Sequence, residues 1–185
     1  MGGLPWRWGA TPEEAARDYP ADSTLGVPVR RLTRAVDVAA PPERVYRRLC
    51  QLALAPYSYD WIDNRGRRSP RGLVPGADRI EVGQVLMRTY AVTAVEPGRS
   101  WTGIMLPRLA RVFGPTAVTY AAEPAAAGTR LVCRLALGQR GPLDRVRGRA
   151  LAWADVVMVR RQLLTLRALA EGDGRAGRKS LDEEW

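Results

Sequence analysis

The stretch VDVAAPPERVYRRLCQL, residues 36–52, contains a turn from a strand into a helix. Upstream of it, Val29 to Val38 alternates apolar and polar side chains, which predicts a half-buried strand. Pro41 and Pro42 end this strand and favour a helix start, because proline fits the first turn of a helix. Apolar residues then recur at helical spacing as far as Leu52. The stretch therefore predicts one strand followed by a short amphipathic helix that Pro56 ends.

The next part of the chain predicts an antiparallel sheet. Short alternating segments separated by turn residues predict strands at 80–85, 90–95, 101–106, 116–122 and 129–137. Residues 108–113 are predicted to connect two of them. Most of these strands follow one another closely, so sequential neighbours are expected to pair.

The stretch ALAWADVVMVRRQLLTLRALAE, residues 150–171, belongs to one long predicted helix. Pro142 favours its start, and Gly172 and Gly174 favour its end. Asp155 falls on the side away from the apolar stripe, where we expect an arginine to be its partner. The apolar stripe predicted to face the sheet consists of Val146, Ala150, Trp153, Ala154, Val157, Leu164 and Ala168. Arg161 lies on the same stripe.

These segments predict a single domain with two extensions, since 185 residues are enough for one hydrophobic core. Residues 1–28, rich in Gly and Pro, are expected to form an N-terminal arm with a short helical turn after Thr11. Residues 29–171 form the predicted domain. Residues 172–185 are expected to be a disordered, charged tail that the fold does not need.

The composition excludes several kinds of chemistry. The chain has no histidine, so it has neither a Ser-His-Asp nor a Cys-His triad and no histidine ligand for a metal. Cys50 and Cys133 are far apart and form no CxxC motif, which favours two buried free thiols. No pair of carboxylates is predicted to lie together as an acid/base dyad. We therefore expect no metal and no cofactor, and we name no catalytic residue.

The net charge of +10 comes almost entirely from arginines scattered over the whole chain. Such scatter argues against a nucleic-acid partner, which requires a clustered basic surface. The sequence contains no stretch of about 20 apolar residues able to span a membrane, and its first residues do not resemble a secretory signal. The expected location is the cytoplasm. The sequence predicts no particular oligomeric state.

The order of elements resembles the START-like, or SRPBCC, superfamily, which includes polyketide cyclases, aromatases and lipid-transfer domains. Residues 36–52 resemble its opening strand and helix, and residues 150–171 resemble the closing helix of bacterial members. The stretch YSYDWIDNRGRRSP, residues 57–70, resembles a loop of a bacterial subgroup. The resemblance covers about residues 29–171. It implies an α+β helix-grip fold, in which a curved antiparallel sheet of about six or seven strands surrounds the long C-terminal helix, with short helices after the first strand.

Such a fold implies an elongated, mainly apolar pocket between sheet and helix. Large side chains predicted to face this space either fill the core or border a cavity. Arg161 needs a carboxylate, a route to solvent or an anionic group of a ligand. The candidate ligand-binding residues are Tyr57, Tyr59, Trp61, Tyr90, Trp101, Met105, Tyr120, Trp153, Val157 and Arg161.

Three functions are compatible with the resemblance. The first is the binding of a small hydrophobic molecule, such as a lipid, polyketide or isoprenoid, by a carrier or sensor. The second is an enzyme like the polyketide cyclases and aromatases, acting on a ligand in the same cavity through Tyr and Arg side chains. The third is an accessory protein that binds a protein or an anionic membrane through its basic surface. A deep pocket favours the first two, and a filled core favours the third.

Overall fold

A computed structural model of the protein describes residues 3–59 and 68–182, with side chains of the last helix described as far as Asp173. The described strands are β1 (Arg7–Trp8), β2 (Val29–Val38), β3 (Val85–Leu86), β4 (Tyr90–Glu96), β5 (Ser100–Met105), β6 (Thr116–Ala125) and β7 (Gly128–Gly138). The described helices are α1 (Pro12–Ala16), α2 (Pro20–Thr24), α3 (Pro42–Cys50), α4 (Pro107–Phe113) and α5 (Pro142–Asp182). A single 3₁₀ turn follows α3.

The strands form one sheet in the order β1-β2-β7-β6-β5-β4-β3. Neighbouring strands are antiparallel, except that β1 of the N-terminal arm lies parallel to β2. The helix α5 and the helix α3 pack against one face of the sheet, here called the inner face. The α+β helix-grip architecture predicted from the sequence is confirmed.

The alternation in β2 divides its side chains between the two faces of the sheet. Leu32 and Val36 pack into the main core on the inner face, whereas Ala35 packs against Tyr19 of the N-terminal arm on the opposite face. The arm therefore covers the face of the sheet that α5 does not. Its helix α1 begins at the predicted cap, where the side chain of Thr11 accepts a hydrogen bond from the backbone N–H of Glu14.

The predicted orientation of α5 is wrong. Trp153 and Val157 are 49% and 53% exposed, whereas Ala152 and Leu163 are fully buried against the sheet. At ~100° per residue the buried residues lie on nearly the opposite side of the helix from the predicted stripe. The periodicity was ambiguous because Ala, Val and Leu occur on both faces, and α5 packs with the face that carries Asp155.

Two local elements also differ from the prediction. Residues 80–84 are not a strand, and β3 contains only Val85 and Leu86. Gly83 has a positive φ of 89° in the turn before β3 and still donates a backbone hydrogen bond to Val92 of β4 (2.8 Å), so the turn interrupts the regular ladder without separating the two segments. Residues predicted as a plain connection form α4, which begins at Pro107, because proline suits the first helical position.

The helix α5 runs past Gly172, where its end is predicted, and continues to Asp182. Beyond the predicted end, Asp173 accepts hydrogen bonds from the side chain of Arg48 on α3, including one of 2.8 Å from Nε to Oδ2. The side chain of Arg48 is only 1% exposed, so it needs this partner. This ion pair stabilises the helix beyond Gly172. The tail from Asp173 onward is therefore no longer expected to be dispensable.

This ion pair yields a prediction for stability. The substitution Asp173→Asn should lower the free energy of unfolding by about 1–3 kcal/mol, because it removes the charge that compensates a buried guanidinium. Asp37→Asn is a matched control, since Asp37 is 83% exposed beside Arg130 and should contribute less than about 1 kcal/mol. Urea unfolding of the two variants measures the difference. Equal and small losses would show that Arg48 does not depend on Asp173.

Candidate functional site

A cavity of about 170 Å³ lies between α5 and the inner face of the sheet, and we call it the inner cavity. Most of its wall is apolar, and its polar groups come from β4, β6, β7 and α5 and from the connections that carry Ser58 and Thr89. The residues that line it are Pro56, Ser58, Met87, Thr89, Tyr90, Val118, Tyr120, Cys133, Leu135, Asp155, Met158, Val159 and Gln162.

Asp155 contributes the carboxylate of this cavity. Its Oδ2 lies 2.8 Å from Nη2 of Arg34 on β2, but Oδ2 receives no well-directed hydrogen bond from any described residue. Burial raises the pKa of Asp155 to about 6, and the neighbouring guanidinium opposes that rise. Asp155 therefore carries a charge at neutral pH and takes up a proton in mildly acidic solution.

Arg34 is held in place from several sides. Its side chain is 1% exposed, and it donates hydrogen bonds to the carbonyl oxygens of Pro5 (2.6 Å) and Trp6 (2.9 Å) in the N-terminal arm. It also donates a longer one, of 3.4 Å, to the carbonyl of Ala152 on α5. The position of the Asp155 carboxylate is thus set by a cation that the arm and the helix both fix.

Gln162 closes the polar network on the other side of the inner cavity. Its Nε2 donates to the carbonyl of Pro56 (2.5 Å) and lies 3.1 Å from Sδ of Met87. Its Oε1 accepts a hydrogen bond from the hydroxyl of Tyr120. Tyr90, in contrast, makes no hydrogen bond through its hydroxyl to any residue that the structure describes. The groups available to a ligand are therefore the Asp155 carboxylate and the Tyr90 hydroxyl.

The titration of these groups limits the chemistry of the cavity. Burial raises the pKa values of Tyr90 and Tyr120, so both stay neutral and can donate hydrogen bonds. Burial also raises the pKa of Cys133, so its thiol is not an activated nucleophile. Asp155 is thus the group in this wall suited to take up or release a proton near neutral pH. Within the described residues, no three Cys, Asp or Glu side chains are placed to hold a metal ion.

A second hollow, the outer pocket, measures about 500 Å³ and shares Ser58 with the inner cavity. It lies along the C-terminal part of α5 and is more polar. Arg71 and Arg161 contribute positive charge to its wall. Its lining residues are Tyr57, Ser58, Ser69, Pro70, Arg71, Arg161, Leu164, Thr165, Ala168 and Leu169.

The structure separates the residues predicted from the sequence into several places. Tyr90 and Tyr120 line the inner cavity, and Tyr57 and Arg161 line the outer pocket. Trp101 lines neither: it is fully buried and stacks on Tyr120, with ring centroids 4.9 Å apart. The partly buried Tyr59 and Met105 do not line either space, and Trp61 lies outside the described residues. The prediction that Trp153 and Val157 face the cavity is wrong, because α5 turns them to the outside.

Three residues of the site were missed by sequence reasoning: Arg34, Asp155 and Gln162. Asp155 was assigned to the outer side of α5, although its expected arginine partner does exist. Arg34 has the same parity in β2 as the inward-facing Leu32 and Val36, and this position could have indicated the site. A buried cation needs a carboxylate partner on the element that covers it.

Comparison with solved structures identifies the fold. A crystal structure of a Rhodobacter sphaeroides protein aligns with a TM-score of 0.50 at 20% identity, over 75% of this chain and 91% of that chain. A Mesorhizobium loti protein aligns with a TM-score of 0.47 at 22% identity, over 76% and 96%. A polyketide-cyclase-like protein from Corynebacterium glutamicum aligns with a TM-score of 0.43 at 18% identity, over 78% and 93%. The chain therefore shares the fold of the Rhodobacter sphaeroides protein, and its own sheet order and long C-terminal helix are those of a helix-grip fold.

No protein-family model matches the sequence, and no curated protein matches it. None of the described helices is both long enough and apolar enough to span a membrane.

The packing of Trp101 gives a second prediction. Trp101→Ala should lower the free energy of unfolding by about 3–5 kcal/mol, because it empties a packed position and not the border of a cavity. Trp153→Ala, the same change at a half-exposed position, should cost about 1 kcal/mol or less. Chemical denaturation of both variants measures the contrast. A small loss for Trp101→Ala would mean that its ring borders open space after all.

The raised pKa of Asp155 gives a third prediction. A carboxyl whose pKa rises from about 3.9 to about 6 on folding stabilises the protein when protonated, below about pH 4. This contribution is lost as the pH rises through 6. Between pH 4 and pH 7 the native chain should therefore lose up to about 3 kcal/mol of stability more than Asp155→Asn does. Urea unfolding across this pH range tests it, and parallel profiles for the two proteins would contradict it.

Proposed function

We propose that the protein binds a small, mainly apolar molecule in the inner cavity, as a carrier or sensor. The observation that carries this proposal is an apolar space with two polar groups that have hydrogen-bonding capacity not used by any described residue. These groups are the Asp155 carboxylate, whose Oδ2 pairs with Arg34 while its Oδ1 receives no hydrogen bond from a described residue, and the Tyr90 hydroxyl. Ligand sites commonly combine apolar walls with a few polar groups that fix orientation.

The size and chemistry of the cavity limit the ligand. A dry cavity of about 150 Å³ accommodates benzene, so the inner cavity of about 170 Å³ fits one aromatic ring or a short branched chain. A hydroxyl, phenol or amine on that body could donate to Asp155. A longer or acidic part could extend past Ser58 into the outer pocket, towards Arg71 and Arg161. Aromatic polyketides and isoprenoid units with a hydroxyl group belong to this class.

A second candidate function is enzymatic. Asp155 titrates near pH 6 inside an apolar wall, and such a group can transfer a proton to or from a bound substrate at neutral pH. Tyr90 could hold a carbonyl oxygen of the same substrate by donating a hydrogen bond. This arrangement would suit proton abstraction beside a carbonyl, as cyclisation of a polyketide chain requires.

A pair of matched variants tests where the ligand binds. Val159 lines the inner cavity, whereas Val157 is exposed on the other side of the same helix. Val159→Phe should fill the cavity and reduce the affinity for a small aromatic probe such as indole by at least about tenfold, while Val157→Phe should leave it unchanged. NMR titration of both folded variants measures the affinities. Equal binding to all three proteins, or none to the native chain, would overturn the proposal.

Native mass spectrometry of protein purified from its own host distinguishes carrier from enzyme. A carrier should release the compound that it captured, unchanged. An enzyme should convert an added substrate into a product, and Asp155→Asn should abolish the conversion even at substrate concentrations at which NMR titration shows the variant to be saturated. Conversion that depends on Asp155 would replace the carrier function with the enzymatic one.

A further inference from the structure

The outward side of α5 carries an apolar surface that no described residue covers. Its members, here called the outer stripe, are Val146, Ala150, Trp153 and Val157, all exposed and all on one side of the helix. Val146 is 74% exposed. A helix lying on a protein surface normally presents polar residues to water on this side. Contiguous exposed apolar groups of this kind indicate an interaction surface.

The stripe is extended at the N-terminal end of α5. Leu143 is 82% exposed there, and Val112 and Phe113 at the end of α4 are 62% and 42% exposed. The two helices meet at Arg147, which donates a hydrogen bond to the carbonyl of Val112 (3.4 Å). The apolar surface is therefore formed by two elements and not by one isolated side chain.

The charges around the stripe have one sign. Asp144 is bound to Arg147, and Asp155 is buried against Arg34. The exposed arginines have no carboxylate partner among the described residues. These arginines are Arg108, Arg111, Arg145, Arg149 and Arg161.

We propose that the protein docks on the surface of an anionic lipid bilayer through the outer stripe, with the surrounding arginines facing the phosphates. Helices that lie in a bilayer surface combine an apolar face, often with Trp, and flanking basic residues. The absence of a free carboxylate along α4 and the described part of α5 complements a uniformly negative surface better than the mixed charges of a protein partner. The net charge of +10 acts in the same direction.

The stripe also leads towards the outer pocket. Arg161, Leu164 and Ala168 lie one to three turns further along the same side of α5 and line that pocket. A docked protein would present this opening near the lipid surface, where apolar molecules concentrate. This last step rests on the proposed function, whereas docking itself does not.

Vesicle co-sedimentation tests the docking. The native protein should bind vesicles of phosphatidylcholine containing phosphatidylglycerol, bind pure phosphatidylcholine much more weakly, and release at high salt. Arg145→Gln with Arg149→Gln should weaken binding roughly 30-fold, at about one kcal/mol for each arginine. Trp153→Ser with Val157→Ser should weaken it at least about tenfold.

The controls alter the same residue types outside the stripe. Arg79→Gln with Arg99→Gln removes two exposed arginines, and Val82→Ser removes a side chain that is 66% exposed. Both should lose far less binding than the stripe variants. The arginine pair keeps the test valid if the Trp153 and Val157 variant fails to fold. Val159→Phe should still bind vesicles, which separates docking from ligand binding.

Three results would overturn the proposal. One is no binding to the anionic vesicles, and another is equal loss in stripe and control variants. The third is a dimer, seen by light scattering without lipid, that Trp153→Ser with Val157→Ser dissociates, because the stripe would then be covered by a second copy of the chain.

Discussion

The rest of the structure is arranged around the contact between Arg34 and Asp155. A buried guanidinium is costly unless a carboxylate and hydrogen-bond acceptors surround it. Arg34 obtains its carboxylate from α5 and its acceptors from the N-terminal arm, at the carbonyls of Pro5 and Trp6. The same contact therefore fixes the rotation of α5 against the sheet and the path of the arm around its edge. With Asp155 turned inward, Trp153 and Val157 must face outward.

This rotation gives the two sides of α5 different roles. The inward side supplies Asp155 and Gln162 to a small cavity whose remaining wall is mostly apolar. The outward side supplies an apolar stripe bordered by arginines. The inner cavity and the proposed docking surface thus lie on opposite sides of one helix, and the outer pocket lies at its C-terminal part.

The sequence was sufficient for the fold because local signals agreed with the tertiary structure. The alternation in β2, the prolines before α3 and the turn residues of the hairpins each determined an element near its observed bounds. The candidate site was predicted only in part. Tyr90 and Tyr120 could be assigned from strand parity, since neighbouring strands constrain one another. The face of α5 could not be assigned, because Ala and Val occur all round it and the deciding partner, Arg34, lies on a distant strand. The sequence also could not show that Trp101 is packed in the core and does not line a cavity, because this difference depends on atomic packing.

The carboxyl group of Asp155 offers the most direct test of this account. Carbon-13 NMR can follow its carboxyl resonance as the pH is changed, with the assignment made from Asp155→Asn. A carboxylate that faces the inner cavity beside Arg34 should titrate with a midpoint of about 6, because burial disfavours its charged form. A midpoint at the ordinary value of about 3.9 would contradict the claim that burial outweighs the guanidinium of Arg34 at this carboxyl, and with it the proposed proton-transferring role of Asp155.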